Sequence, residues 1–100
     1  ADDMIVSGGE NVYPREVEEL LLTHPDIVDA AVYGVDDDDF GQRLAAQIVT
    51  RSGGKITKRT VTTLVSSQLA RHKVPRDIHF VDTLPRNTTG KLLRSQLSAG

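Results

Sequence analysis

The sequence lacks cysteine and tryptophan, and only 4% of its 100 residues are aromatic. Without cysteine the chain cannot form disulfide bonds, a thiolate nucleophile or a zinc ribbon. No apolar run is long enough for a transmembrane helix, and no stretch resembles a signal peptide. We therefore expect a cytoplasmic protein without a membrane span, whose core is built mainly from valine, leucine, isoleucine and alanine.

The chain also lacks an excess of positive charge. Its 12 lysine and arginine residues are outnumbered by 14 aspartate and glutamate residues, so the formal net charge is -2. This balance argues against a general nucleic-acid-binding protein. The length is that of one small domain, and the opening stretch ADDMIV, without an initiator methionine, predicts a piece cut from a longer protein.

The apolar pattern predicts an α+β fold. Two short strands flank the glycine turn SGGE, and three further apolar runs predict a small three-stranded sheet flanked by helices. One helix begins at Pro14 and ends before Pro25, whereas a second is capped by Thr57. The stretch DDDDFGQ is predicted as a loop, and LLRSQL as a short terminal helix.

Two apparent ligand motifs fail on inspection. The run TTGKL ends like a phosphate-binding loop, but Pro85 stands where that loop needs its first glycine. Leu92 also replaces the serine or threonine that should follow the lysine. The acidic run that begins at Asp36 lacks the bidentate glutamate of a calcium loop, because Gln47 occupies that position. The three histidines are far apart in sequence, so we expect no metal site.

Two loops remain as candidates for function. Gly8 and Gly9 permit positive φ angles and a close approach of the backbone to another molecule, although a plain hairpin turn explains them as well. Lys91 ends the loop LPRNTTGK. A solvated surface lysine is the simpler interpretation of this residue. The functional interpretation is a cation on a mobile tether that reaches a developing negative charge in a site built elsewhere.

In order and spacing, these motifs resemble the C-terminal domain of AMP-forming acyl-CoA synthetases, which belong to the adenylate-forming superfamily. The resemblance covers nearly the whole chain. The stretches that carry it are, in chain order, DDMIVSGGENVYPREVE (2–18), HP (24–25), AAVYGV (30–35), DFG (39–41), KVP (73–75) and LPRNTTGK (84–91).

The resemblance implies an enzyme that activates a carboxylic acid with ATP and then transfers the acyl group to coenzyme A. A large N-terminal domain, absent here, would hold the acid, Mg and most of the ATP. Residues 1–100 would form a small C-terminal lid domain that closes over it in two orientations. The fragment alone is then expected to be inactive.

The resemblance also assigns roles to particular residues. Lys91 would be the adenylation lysine, and Asp2 would be the hinge at which the domain rotates. Gly8 and Gly9 would line the path of the pantetheine arm during thioester formation. Two cations, Lys73 and Arg76, would lie near the nucleotide phosphates of coenzyme A.

The identity of the acyl acceptor and of the acid stays open at this point. The form SGGEN-x-x-P-x-E-V-E is typical of fatty-acid and aryl-CoA ligases, which favours coenzyme A and a fatty acid. An adenylation domain that loads a carrier protein is one alternative, and a non-catalytic binding module is another.

Overall fold

The computed structural model describes residues 4–97, and all structural statements below concern that range. The helices and strands are, in chain order, β1 (Ile5–Ser7), β2 (Glu10–Val12), α1 (Pro14–Leu21), β3 (Ile27–Asp37), β4 (Gly41–Thr50), α2 (Lys58–Gln68) and β5 (Asp77–Phe80). Single 3₁₀ turns at Arg71–Lys73 and Arg94–Gln96 complete the described elements.

The strands form two sheets. β1 and β2 pair as an antiparallel hairpin, and the second sheet has the order β3–β4–β5. β3 and β4 are antiparallel, whereas β5 runs parallel to β4 and is reached through α2, because parallel neighbours need a crossover. The predicted α+β fold, with a glycine-turn hairpin and a three-stranded sheet flanked by helices, is confirmed.

Both helices begin where local chemistry predicts. Pro14 occupies the first turn of α1, where its fixed φ angle suits the helix and its missing N–H costs nothing. At α2, the Thr57 side chain accepts a 3.2 Å hydrogen bond from the backbone N–H of Thr60. The Thr60 hydroxyl in turn accepts from the Thr57 backbone N–H at 3.2 Å, which completes a capping box.

The hydrophobic core lies between the helices and one face of the three-stranded sheet. Its buried residues are Ile5, Val12, Val17, Leu21, Ile27, Ala30, Val32, Leu44, Ala46, Ile48, Val61 and Val65. The pairing of β3 with β4 shifts register between Ile27 and Asp29. This irregularity lets Ile27 and Ala30 both face the core, while Val28 between them is 61% exposed.

Two predictions about the connections were wrong in detail. The stretch DDDDFGQ is mostly strand, because β3 continues to Asp37 and β4 already begins at Gly41. The Asp37 side chain accepts hydrogen bonds from the backbone N–H groups of Asp39 and Phe40, which tightens the turn between the strands. The predicted terminal helix LLRSQL shortens to one 3₁₀ turn, in which the N–H groups of Gln96 and Leu97 donate to the carbonyls three residues earlier.

Within residues 4–97, none of the helices combines the length and the apolar character that crossing a membrane requires.

Candidate functional site

The loop that carries Lys91 is closed by one asparagine side chain. Asn87 Oδ1 accepts hydrogen bonds from the backbone N–H groups of Thr89 and Lys91, at 3.0 and 2.9 Å. The Asn87 N–H donates to the Lys91 carbonyl at 3.0 Å, and Gly90 adopts a φ of 87° between them. The loop therefore has a defined backbone shape, and that shape sets the direction in which the Lys91 side chain leaves it.

Arg86 joins this loop to strand β3. Its Nε and Nη2 atoms donate to the two carboxylate oxygens of Asp29, at 3.0 and 2.7 Å. Its Nη1 atom donates to the carbonyl of Gly90 at 2.7 Å. The hydrogen bonds to Asp29 raise the pKa of Arg86 above its ordinary value. One guanidinium thus contacts both the body of the domain and the residue before Lys91.

A second arginine holds the chain just beyond the loop. Arg94 Nη1 and Nη2 donate to the two carboxylate oxygens of Glu18, at 2.7 and 3.0 Å. Glu18 Oε2 also accepts from the Val32 N–H, and Arg94 Nη1 donates to the Val32 carbonyl, each at 2.7 Å. Since β3 is an edge strand, this pair satisfies backbone groups that would otherwise be left open.

The Lys91 side chain itself is exposed and makes no ion pair with any residue in the described range. It borders an open hollow whose lining residues are Tyr13, Pro14, Arg15, Glu18, Glu19, Leu22, Ala30, Arg86, Gly90, Lys91, Leu92 and Arg94. The sequence suggested a mobile tether. In the structure the loop backbone is held to the domain, and the free part is the lysine side chain.

The glycine loop is a tight turn between β1 and β2. Gly8 and Gly9 have φ angles of 58° and 82°, both in the region that favours glycine. The Gly8 N–H donates to the Phe40 carbonyl at 2.9 Å. A Cβ atom at Gly8 would lie 3.2 Å from the Phe40 ring, whereas one at Gly9 would meet nothing within 4 Å. Gly8 therefore faces its own domain, and Gly9 faces open space.

The two predicted phosphate-binding cations differ in availability. Lys73 Nζ lies 2.8 Å from Glu16 Oε1, so its charge is already paired. Arg76 has a weaker 3.4 Å contact with Asp37 Oδ2, lies 5.4 Å from the centre of the Phe40 ring, and keeps 56% of its side chain exposed. Arg76 is thus the more accessible of the two.

A second hollow lies beside the glycine loop. Its lining residues are Ser7, Gly8, Glu10, Phe40, Leu44, Arg71, His72, Val74 and Arg76. The structure therefore brings Gly8 and Arg76 together, but neither Lys73 nor Lys91 lines this hollow. The two hollows share no residue, so the chain offers two separate surfaces, one at Lys91 and one at the glycine loop.

The remaining predicted sites cannot be placed in the same way. Asp2, the predicted hinge, lies outside the described residues. Within residues 4–97 no group of three or more histidine or acidic residues could hold a metal ion.

Comparison with known proteins decides the family. Residues 16–91 match the AMP-binding enzyme C-terminal domain family. The chain belongs to this family. The resemblance to AMP-forming acyl-CoA synthetases that the motifs predicted is thereby confirmed.

Similar curated members are 2-succinylbenzoate–CoA ligases. The chain is 45% identical to the protein from Geobacillus sp. (strain WCH70) over 95 residues, and 47% identical to that from Bacillus pumilus (strain SAFR-032) over 97 residues. These alignments cover 95% and 97% of this chain but only 19% and 20% of the relatives. The chain thus spans about a fifth of the length of the curated members that it matches.

Solved structures of family members superpose closely. The o-succinylbenzoate CoA synthetase of Bacillus subtilis in complex with the acyl-adenylate intermediate OSB-AMP gives a TM-score of 0.91 at 40% identity, over 98% of this chain and 20% of that one. A Mycobacterium tuberculosis fatty acyl CoA synthetase gives 0.87 at 38% identity, over 93% and 18%. Apo MatB from Rhodopseudomonas palustris gives 0.88 at 41% identity, over 93% and 19%.

Sequence reasoning singled out Lys91 as a candidate but missed the residues that hold its loop. Arg86 and Arg94 were visible as cations on either side of the lysine. Their partners, Asp29 and Glu18, lie 57 and 76 positions away, and no local pattern connects residues so distant. Phe40, which contacts both Gly8 and Arg76, was missed for the same reason.

Proposed function

We propose that this chain is the C-terminal lid domain of an ATP-dependent, AMP-forming acid–CoA ligase. The parent enzyme would join a carboxylate to the α-phosphate of ATP and release pyrophosphate. The thiol of coenzyme A would then displace AMP and form the acyl thioester. The acid pocket, most of the ATP site and the magnesium site belong to a large N-terminal domain in this proposal, which the relatives' greater length supports.

One observation carries the role of Lys91. Its ammonium is exposed and unpaired among the described residues, while its backbone is fixed by Asn87 and Arg86. A flexible cation on a fixed backbone can enter a neighbouring site without first breaking an ion pair. Within that site, Lys91 would contact both the attacking carboxylate and the α-phosphate. It would stabilise the charge that develops there, without transferring a proton.

The glycine loop would serve the second half-reaction. Gly9 faces open space, so the slender pantetheine arm could pass beside it, whereas Gly8 is occupied by its contact with Phe40. Arg76, with Arg71 in the same hollow, would attract the phosphates of coenzyme A. Lys73 could join them only by leaving Glu16. The presence of two separate hollows is consistent with two orientations of this domain on the N-terminal domain. The domain would rotate between these orientations at Asp2.

The identity of the carboxylic acid substrate is the most specific part of the proposal. Curated relatives are named for 2-succinylbenzoate, and one similar structure is a fatty acyl CoA synthetase. A fatty acid stays our prediction from the glycine loop, and an aromatic keto acid such as 2-succinylbenzoate is the alternative that the relatives favour. Cytoplasmic location also stays a prediction.

The test uses the full-length parent protein. A panel of fatty and aromatic acids is supplied with ATP and magnesium, and acid-dependent ATP–pyrophosphate exchange is measured. Lys91→Ala should lower that exchange by about 10²-fold or more, as for the loss of one preorganised charge contact. Lys55→Ala, which removes another exposed lysine on a loop, is the matched control and should leave exchange unchanged.

The acyl acceptor is identified with the same protein preparation. Thioester formation is followed with coenzyme A and, separately, with a phosphopantetheinylated carrier protein. Transfer to coenzyme A supports the ligase, and transfer to the carrier alone would replace it with a carrier-loading enzyme. No exchange with any acid, or equal exchange in the Lys91→Ala protein, would contradict the proposal and favour a non-catalytic module.

A further inference from the structure

We propose that Asp29 and Arg86 are positioning residues for Lys91, an inference that rests on the proposed function. They would fix the backbone from which the lysine side chain reaches the reacting atoms. Neither residue would touch substrate in this arrangement, since both act through the Gly90 carbonyl.

Hydrogen bonds attach the segment around Lys91 to distant parts of the domain at Arg86 and, three residues beyond the lysine, at Arg94. The hydrogen bonds of Asn87 lie within the loop, so they define its shape but not its place on the domain. The contact between Arg86 and Asp29 connects the loop to a strand 57 residues earlier in the chain. The position of the loop therefore depends on strand β3, which is paired along its length with β4.

Asp29 is itself held in place. Its Oδ1 atom accepts a 2.9 Å hydrogen bond from the Ala30 N–H, in addition to the one from Arg86. The register shift at Val28 turns Asp29 away from the core face, so its carboxylate is only partly covered. A carboxylate with fixed orientation can orient a guanidinium, because the two planar groups pair through two parallel hydrogen bonds.

Arg86 then passes this orientation to the loop. While Nε and Nη2 bind Asp29, Nη1 donates to the Gly90 carbonyl at 2.7 Å. The Gly90 carbonyl belongs to the peptide unit that also contains the Lys91 nitrogen. Fixing that unit fixes the point from which the lysine side chain starts. Lysine could not replace arginine here, since a single ammonium lacks the planar fork that spans both partners.

The charges support the same arrangement. Asp29 pairs with Arg86, so the Arg86 charge that lines the hollow beside Lys91 is neutralised and its side chain is held in place. The second arginine, Arg94, is paired with Glu18 in a more buried position and holds the chain beyond the loop. Asp29 and Arg86 are more exposed, with 25% and 37% of their side chains accessible. Substitution of either residue should therefore alter the loop without unfolding the domain.

The experiment compares Asp29→Asn and Arg86→Lys with Asp77→Asn in the full-length protein. Asp77 pairs with Arg43 on the same sheet and is 26% exposed, which matches Asp29, but within residues 4–97 its side-chain hydrogen bond and ion pair are made to Arg43 and not to the Lys91 loop. We expect Asp29→Asn and Arg86→Lys to lower kcat for adenylation by about 10-fold, because misplacing a reacting group is costly. The KM for ATP and the acid should change less than about two-fold, since neither residue binds them.

Three further readouts separate positioning from general damage. Thioester formation from preformed acyl-adenylate should be unchanged in both variants. Hydrogen exchange of the peptide that covers residues 84–93 should be faster in Asp29→Asn and unchanged in Asp77→Asn. On a Lys91→Ala background, Asp29→Asn should have no additional effect on adenylation, since the group it positions is gone.

Unchanged adenylation in both variants would overturn the inference and leave an ordinary surface ion pair. Equal loss in both half-reactions, or equal loss in the Asp77→Asn control, would show a merely structural role. These outcomes are distinct from failure of the proposed function, which would appear as normal adenylation in the Lys91→Ala protein itself.

Discussion

At the scale of single residues, the glycine loop depends on one contact with an aromatic ring. Gly8 combines a positive φ angle with a neighbour, Phe40, that leaves room for hydrogen but crowds a methyl group. Gly9 has a positive φ angle without any such neighbour. The two glycines, which look equivalent in the sequence, are therefore constrained differently.

This difference predicts a coupling between residues 8 and 40. Gly8→Ala should destabilise the protein by about 1–2 kcal/mol, and less on a Phe40→Ala background, because the crowding is relieved. The cost of Gly9→Ala should be the same on both backgrounds. Urea unfolding of six proteins measures this, namely the unchanged loop, Gly8→Ala and Gly9→Ala, each with Phe40 or Phe40→Ala, and a Gly8→Ala cost independent of residue 40 would contradict the contact.

Asp37 predicts a pH dependence of stability. Hydrogen bonds from the N–H groups of Phe40 and Asp39, with Arg76 and Arg43 nearby, hold the pKa of Asp37 below its ordinary value of 3.8. Its ionised form therefore stabilises the native state at any pH above 3.8, and this contribution is lost as the pH falls through the lowered native pKa. Asp37→Asn should flatten this acid limb in thermal unfolding. An acid limb identical to that of the unmodified chain would show that Asp37 does not contribute to it.

At the scale of elements, helix α2 depends on its first turn. Its serines and threonines have low intrinsic helix propensity, so the capping box at Thr57 and the buried face of Val61 and Val65 must hold it. Thr57→Ala should lower the free energy of unfolding by about 1 kcal/mol. Thr63→Ala, at an exposed position in the same helix, should be neutral or slightly stabilising. Equal effects would argue against the cap.

The elements also show what a sequence can and cannot predict. The start of α1 at Pro14 and the cap at Thr57 follow from local chemistry, and both were predicted. The register shift at Val28 was not predicted, since strand propensity does not indicate where one strand carries an additional residue relative to its partner. That shift exposes Val28 and orients Asp29. The contact between Asp29 and Arg86 beside Lys91 therefore could not be predicted from the sequence.

At the scale of the whole molecule, one ion pair joins three distant parts of the chain. Glu18 of α1 and Arg94 near the end of the chain meet at the open edge of β3, where both contact Val32. The pair is mostly buried, with 11% and 21% of the side chains exposed. The C-terminal segment that follows Lys91 is therefore attached to the first helix and the sheet together.

Breaking this pair should be costly. Glu18→Ala removes the carboxylate that accepts hydrogen bonds from Arg94 and from the Val32 N–H in a mostly buried position, so we expect a loss of about 3 kcal/mol in the free energy of unfolding. Glu19→Ala, which removes the exposed neighbouring carboxylate, should change stability by less than about 0.5 kcal/mol. Urea unfolding of both variants checks this, and similar midpoints would contradict a structural role for the pair.

The most direct test of the account is the ratio of the two half-reaction rates in full-length Lys91→Ala. Adenylation is measured by pyrophosphate exchange, and thioester formation is measured from acyl-adenylate supplied ready-made. If the lysine enters the site for the first step only, the ratio of adenylation to thioester formation should fall by about 10²-fold. An unchanged ratio, with both rates normal or both reduced alike, would contradict the claim that this domain delivers Lys91 to the adenylation site.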